Sequence, residues 1–266
     1  MTVRRSVVLN GDLGSGKTTV SILLARRLGI RRISVGDLYR TMAAERGMTA
    51  LQLNLHAELD DKIDHYVDQL QSDIAASGER LIVDSRLAWH FFTDAIKVHL
   101  VVDATAAARR VLGRPADEVE SYASIEQART HLASRGDSER TRFISRYGVD
   151  KTRLRNYDIV CDSTSAGPEE IVERIAVHLT APRLYAPEPL CYLDPRRIRP
   201  MANAARDGSV QVGYVAPEFF AVGGRDRIEA AIRAGEPLIE AALVAEADEE
   251  IDGRGCRDHL RSHLLT

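Results

Sequence analysis

The sequence predicts an α/β fold, a central parallel sheet flanked by helices, with a small α+β unit at its C-terminal end. Three observations carry that expectation. Residues 1–182 alternate short β-branched or leucine-rich runs with longer amphipathic stretches, the pattern of strand–helix–strand units around a parallel sheet. A glycine-rich turn, Gly11-Asp-Leu-Gly-Ser-Gly-Lys17-Thr18, stands between the first apolar run and the first amphipathic stretch. Pro182, Pro187, Pro189, Pro195 and Pro200 then interrupt the alternation, and a different pattern begins beyond them.

The expected strands are Ser6–Asn10, Arg32–Ser34, Leu81–Val83, Ile96–Val102 and Ile159–Cys161. Each is short and largely apolar throughout, as strands covered on both faces are. Helices are expected over Lys17–Leu28, Leu38–Arg46, Leu59–Ala75, Ala104–Leu112, the charged stretch Ser124–Tyr147, and Pro168–Leu179. Pro168 suits a first helical turn, and Glu169 and Glu170 complement the positive end of the helix dipole. The proline-rich stretch from Ala181 to Pro200 reads as a linker dividing a first domain, residues 1–182, from a second, residues 183–266. The second holds apolar runs at Val210–Val215 and Phe219–Val222, a helix over Asp226–Ala234, another apolar run at Leu238–Val244, and the acidic stretch Glu246–Asp252.

Composition narrows the function classes. A hydrophobic fraction of 44% and a charged fraction of 28% belong to an ordinary globular chain. The formal charge of −3 gives no reason to expect nucleic acid or a membrane surface as partner. No uncharged apolar run approaches the roughly 18 residues of a membrane helix, and Met1–Ser6 runs straight into a strand and not into a signal-peptide core. Cys161, Cys191 and Cys256 are far apart and lack metal-ligand spacing, so they read as ordinary thiols in a cytoplasmic, reducing setting.

The strongest chemical signal is the glycine-rich turn, which fits G-x-x-x-x-G-K-[ST] between a strand and a helix. Gly11, Gly14 and Gly16 let the backbone curl so that successive N–H groups face phosphate oxygens. The helix beginning near Lys17 adds its positive end. Lys17 is placed for the β- and γ-phosphates and Thr18 for Mg²⁺, with Ser15 and Thr19 completing the nucleotide-binding set. ATP and Mg²⁺ are therefore the expected cofactors.

Five further segments occur in an order that resembles the archaeal-type cytidylate kinases, which are P-loop nucleoside monophosphate kinases. They are Arg32–Arg40, Glu45–Met48, Asp84-Ser-Arg86-Leu-Ala-Trp89, the arginine-rich stretch Ser138–Asp150, and Tyr157–Asp162 with Pro168-Glu-Glu. The resemblance covers roughly residues 4–180. It implies the P-loop NMP-kinase fold and ATP-dependent phosphoryl transfer to a nucleoside monophosphate, with CMP, dCMP or a modified pyrimidine nucleotide as acceptor. A kinase for another small-molecule acceptor is the first alternative. A non-catalytic nucleotide sensor using the C-terminal unit to bind a partner is the second.

The residues support such chemistry, because phosphoryl transfer needs alignment and charge neutralisation more than covalent catalysis. Asp37, Arg40, Arg86 and Arg135 are candidates for acceptor binding; Arg140 and Arg142, with Arg146, are candidates for a lid closing on the transferred group. Asp84, just past a central strand, is placed to order a Mg²⁺-bound water, although a strand-end cap is the plainer reading. Asp37 also suits a helix N-cap, and Trp89 suits core packing as well as the acceptor base. Ser85 and His90 stand where the family usually carries glycine, which is expected to reshape the acceptor pocket.

In the second unit, Tyr192–Pro195 and Gly224-Arg-Asp-Arg227 with the alanine-rich helix after it resemble the ParB/sulfiredoxin-like domain. The resemblance implies a phosphate-holding turn built from Gly224 and Arg227. Arg225 occupies the position of sulfiredoxin's cysteine, which argues against that chemistry.

Overall fold

The computed structural model describes residues 5–48, 61–113, 122–179, 188–246, 250–251 and 254–255. Five parallel strands form the first half of one sheet: β1 (Val7–Gly11), β2 (Arg32–Ser34), β3 (Ile82–Asp84), β4 (Ile96–Val101) and β5 (Ile159–Asp162), in the order β2-β3-β1-β4-β5. The helices are α1 (Lys17–Leu28), α2 (Val35–Glu45), α3 (Asp61–Ala76), α4 (Ala88–Phe91), α5 (Ala104–Leu112), α6 (Ile125–Tyr147) and α7 (Pro168–Leu179). Polar caps set several of their starts. Ser34 accepts from Asp37 N at 3.1 Å, which begins α2 three residues before the expected Leu38. Asp103 caps α5 and Ser124 caps α6 in the same manner.

Two apolar cores sandwich this half. Val7, Leu9, Val98, Leu100 and Ile159 meet Val20 and Leu24 of α1 and Ile171 and Ile175 of α7 on one face. On the other face Val8, Leu81 and Val83 meet Trp89, Phe92, Phe143 and Tyr157.

The expected linker is only partly one. Its stretch after Pro189 forms β6 (Leu190–Leu193), paired in parallel with β5 through Ile159↔Leu190, Val160↔Cys191 and Cys161↔Tyr192. The prolines mark the ends of this strand. Pro195 opens a short 3₁₀ turn, Pro195–Arg197, where its missing N–H costs no hydrogen bond, and Asp194 caps that turn. The sheet then continues through β10 (Ile239–Glu246), antiparallel to β6, to β8 (Gln211–Val215), β9 (Glu218–Gly223) and β7 (Ile198–Arg199). Helix α8 (Arg225–Ala234) packs on this end of the sheet, and a two-stranded pair, β11 (Glu250–Ile251) and β12 (Arg254–Gly255), follows. Among the described residues the sheet thus has ten strands and does not break at the expected domain boundary, whose residues 180–187 lie outside the described ones.

The core crosses that boundary too. One cluster joins Val101, Leu154 and Val160 to Cys191, Leu193, Val212, Phe220, Ile228 and Leu243. Glu246, almost wholly buried, accepts from Leu154 N at 2.6 Å and so caps the 3₁₀ turn Leu154–Asn156 from the far half of the chain. The whole chain is expected to unfold in one cooperative thermal transition. Leu9→Ala and Leu243→Ala, at fully buried positions in the two halves, should each cost about 2–5 kcal/mol and lower the same midpoint. Two transitions, each answering to only one substitution, would contradict the shared core.

Candidate active site

The glycine-rich turn leaves β1 at Gly11 and enters α1 at Lys17, at the C-terminal edge of the parallel strands where ligands gather in such sheets. Gly14 has φ +81°, and a Cβ there would stand 2.9 Å from Ala107 Cα, so only glycine lets α5 lie against the loop. A Cβ on Gly11 would stand 2.6 Å from Ser15 Oγ, which is buried beneath the loop. Asp12 moors the loop to β4. Its amide donates to Leu100 O at 2.9 Å, and its carboxylate accepts from Val102 N at 3.2 Å and lies 3.4 Å from His99 Nε2. Asn10 Nδ2 lies 3.2 Å from His99 Nδ1, so the ring bridges Asn10 and Asp12.

Beside the loop, β3 delivers Asp84 into a cluster of cations. The carboxylate is 3% exposed, with Lys17 Nζ at 2.6 Å on Oδ1 and Arg32 Nη2 at 2.6 Å on Oδ2. Ser21 Oγ joins at 3.3 Å. Burial alone would raise the Asp84 pKa, but Lys17 and Arg32 more than offset it and hold the group below the usual range. Burial pulls the Lys17 ammonium down against the attraction of Asp84. Arg32 also reaches Asp37 at 3.3 Å, and Asp37 pairs with Arg40, so an unbroken line of charge runs from the loop lysine to Arg40.

A second cluster centres on Glu139 of α6, 7% exposed. Arg86 pairs with it directly, Lys151 Nζ lies at 2.7 Å and Arg135 Nε at 3.4 Å. Burial works to raise the Glu139 pKa, and Arg86 and Lys151 outweigh that and depress it. Lys17 lies in the fields of both Arg86 and Glu139, so the two clusters adjoin.

Lys17, Asp84, Asp37 and Arg40 are thereby brought together, as are Arg86 and Arg135. Arg140 and Arg142 do not join them: Arg140 is paired with Asp150 at 2.6 Å, and the Arg142 guanidinium lies 5.6 Å from the Phe143 ring centroid. Arg146 sits 3.7 Å from Asp68. Thr18 and Thr19 are exposed at the start of α1. Trp89 is buried against Tyr157 at 5.5 Å, which is the packing role. Ser85 donates to Gln71 at 3.0 Å and accepts from Leu87 N and Ala88 N, so its hydroxyl is spent on starting α4. His90 is exposed, with its ring 6.0 Å from that of Tyr147.

The Gly224 turn corrects an expectation. The first N–H groups of α8 are occupied: Arg225 N donates to Ala205 O at 3.1 Å and Asp226 N to Arg206 O at 3.0 Å. A Cβ on Gly224 would stand 2.7 Å from Ser209 O, so this glycine serves close backbone approach and the turn presents no open phosphate cradle. Arg227 is exposed.

Sequence reasoning missed Arg32, Glu139 and Lys151. Arg32 lies within a motif already singled out. An acid four residues after Arg135 and next to Arg140 was the available signal for Glu139.

A loop of N–H donors at a strand–helix junction, flanked by an ionised carboxylate and several forked cations, is equipped to move a phosphoryl group and little else. The fold and site define a P-loop phosphotransferase. An AAA domain family model matches residues 7–131. The cytidylate kinase of Natronomonas pharaonis is 35% identical over 182 residues, covering 68% of this chain and 91% of that protein. That of Methanobrevibacter smithii is 32% identical over 173 residues, covering 65% and 97%. Among solved structures, an uncharacterized protein from Eubacterium ventriosum shares the fold, with TM-score 0.51, 14% identity, and 67% and 99% coverage. The chain belongs to the cytidylate kinase family, and it is a nucleoside monophosphate kinase.

Asp84, Glu139 and Asp150 all titrate below their ordinary range: burial raises each, and neighbouring cations and hydrogen bonds prevail. A carboxyl depressed on folding contributes stability that is full above its unfolded value and is lost as pH falls through the folded one. The melting temperature should therefore hold from pH 8 to about pH 5 and drop below about pH 4. Glu139→Gln should cost about 2–3 kcal/mol, less than for a fully buried pair because Arg86 is partly exposed. It should also make the acid limb of the melting profile shallower.

Proposed function

We propose that the chain transfers the γ-phosphoryl group of ATP to CMP or dCMP. The observation that carries this reading is the line Lys17–Asp84–Arg32–Asp37–Arg40, which joins the phosphate loop to an exposed arginine beyond the end of β2. The cytidylate kinase relatives supply the acceptor class. The engagement of Ser85 in starting α4 removes a reason to expect an altered acceptor pocket, which favours an ordinary cytidine nucleotide over a modified one.

On this reading Lys17 exchanges Asp84 for the β- and γ-phosphate oxygens. Arg40 and Arg86 fix the acceptor phosphate, with Arg135 beside them, while Arg140 and Arg142 close over the transferred group. A carboxylate kept ionised by Lys17 and Arg32, with the exposed Thr18 next to Lys17 in the chain, is a donor set that suits Mg²⁺, which takes few protein oxygens besides water and phosphate. The ion would neutralise the charge that develops between the β- and γ-phosphates. An acceptor phosphate oxygen attacks the γ-phosphorus, the bond to the β,γ-bridging oxygen breaks, and ADP departs.

The ParB/sulfiredoxin-like reading of residues 183–266 is part of the same proposal. The β8–β9 hairpin leading through Gly224 into α8 and on to β10 supports it, and the occupied start of α8 favours a structural role.

ADP production from ATP and Mg²⁺ should rise strongly with CMP or dCMP and weakly with UMP, AMP or GMP; silence with all five would overturn the reading. Lys17→Ala and Asp84→Asn should each lower kcat by about 10²–10³-fold, the loss typical of a removed charge-stabilising group. Arg86→Ala should chiefly raise KM for the acceptor, and an unchanged acceptor KM would remove it from that role.

A further inference from the structure

Where β5 ends, the first half of the chain is fastened to the second. Asp162 is fully buried; its Oδ1 accepts from Thr164 N at 2.9 Å and its Oδ2 from Arg197 Nη1 at 2.7 Å. The same guanidinium nitrogen donates to Thr164 Oγ1 at 3.0 Å. Thr164 Oγ1 in turn accepts from Asp103 N at 2.9 Å, at the cap of α5. The next residue, Ser165, donates to Asp194 Oδ2 at 2.6 Å. Asp194 and Arg197 thus hold the turn Ser163–Ser165 from outside.

From inside, α5 holds it. Arg110 donates to Ser163 O, to Thr164 O at 3.2 Å, to Ser163 Oγ at 3.3 Å, and across to Gly14 O of the phosphate loop at 3.4 Å. The turn is therefore clamped between a helix that touches the phosphate loop and a segment that belongs to the C-terminal unit. The β8–β9 hairpin lies close by, since the Tyr214 hydroxyl sits in the fields of both Asp12 and Arg197.

The sides of the loop are not equivalent. Asp84, Arg32, Asp37 and Arg40 crowd the side toward β3 and β2, where the acceptor is placed. With that side committed, the side toward β4 and β5, bounded by α5 and the Ser163–Ser165 turn, is the one left for the nucleoside end of the donor. Without Arg197, Asp162 Oδ2 would lose its charged partner and Thr164 Oγ1 would lose one of its two donors, which would loosen the turn and leave more negative charge facing a polyphosphate.

We propose that Arg197 is a positioning residue for the donor nucleotide, so that residues 188–246 complete the ATP site of this kinase. The proposal rests on the kinase reading above. Loss of Arg197 removes two of the hydrogen bonds that fasten the turn and the charged partner of Asp162 Oδ2, and so weakens ATP binding while sparing the acceptor.

The test uses full-length wild type, Arg197→Ala, Arg197→Lys and Thr164→Val. KM is measured for ATP and for CMP separately, with calorimetric ATP binding and melting temperature. Arg197→Ala and Thr164→Val should raise KM and Kd for ATP about tenfold, the size of a usual coupling between sites, with KM for CMP unchanged within about twofold. Arg197→Lys, which keeps the charge but not the fork, should restore part of the loss. Thr164→Val retains shape and the Asp162–Arg197 pair, so it gives the answer if Arg197→Ala does not fold. Unchanged ATP affinity in a folded variant, or equal rises in both KM values, overturns the proposal. A wild type that turns over no acceptor overturns the kinase reading instead, and calorimetry then still reports whether Arg197 governs ATP affinity.

Discussion

A carboxylate at the end of β3 holds the catalytic edge together. Asp84 is buried, and two cations at 2.6 Å are what make its charge tolerable there. The dependence runs both ways, because Lys17 is itself deep enough for burial to work against its charge. Through Arg32 the same group reaches Asp37 and Arg40, so the helix after β2 is electrically tied to the loop after β1. At this edge Lys17, Arg32 and Arg40 are each committed to a carboxylate. That arrangement keeps the lysine and arginines oriented.

Glu139 of α6 repeats the device, gathering Arg86, Arg135 and Lys151 around one buried acid. Like charges would not remain close in a partly desolvated place without such a centre. Beneath both clusters, Asp12, His99, Asn10 and Tyr157 link the phosphate loop to the backbone carbonyl of Lys151. The loop, the central strands and the segment after α6 are therefore parts of one polar framework.

The other organising constraint is the edge of the sheet. A parallel strand such as β5 would expose a row of unpaired backbone groups at the border of the kinase half. Here β6 takes those hydrogen bonds, β10 and β8 follow, and apolar side chains from both halves fuse into one core. The C-terminal unit is consequently packed against the β5 end of the site as well as joined to it in sequence.

The local elements were legible because their causes are local. Lys17–Leu28, Ala104–Leu112 and Pro168–Leu179 are bounded by glycine, Asp103 and Pro168, and these helices stand where the sequence placed them. The glycine-lysine-threonine turn likewise carries its own backbone requirements. Other features depended on partners far away in the chain. Leu190–Leu193 looked like linker because its flanking prolines are visible in the sequence while the open edge of β5 is not. Arg86 and Arg135 were legible as cations, but Glu139, which arranges them, became visible only when α6 was laid against β3. The Gly224 turn had the composition of an anion cradle until the carbonyls of Ala205 and Arg206 were found on its N–H groups. The sequence by itself determined the α/β class, the phosphate loop and the supply of charges. Tertiary structure decided which charges meet across the fold, as Lys17 and Arg32 do at Asp84 and Arg86 does at Glu139, and where the sheet ends, because these are settled by contacts between residues tens of positions apart.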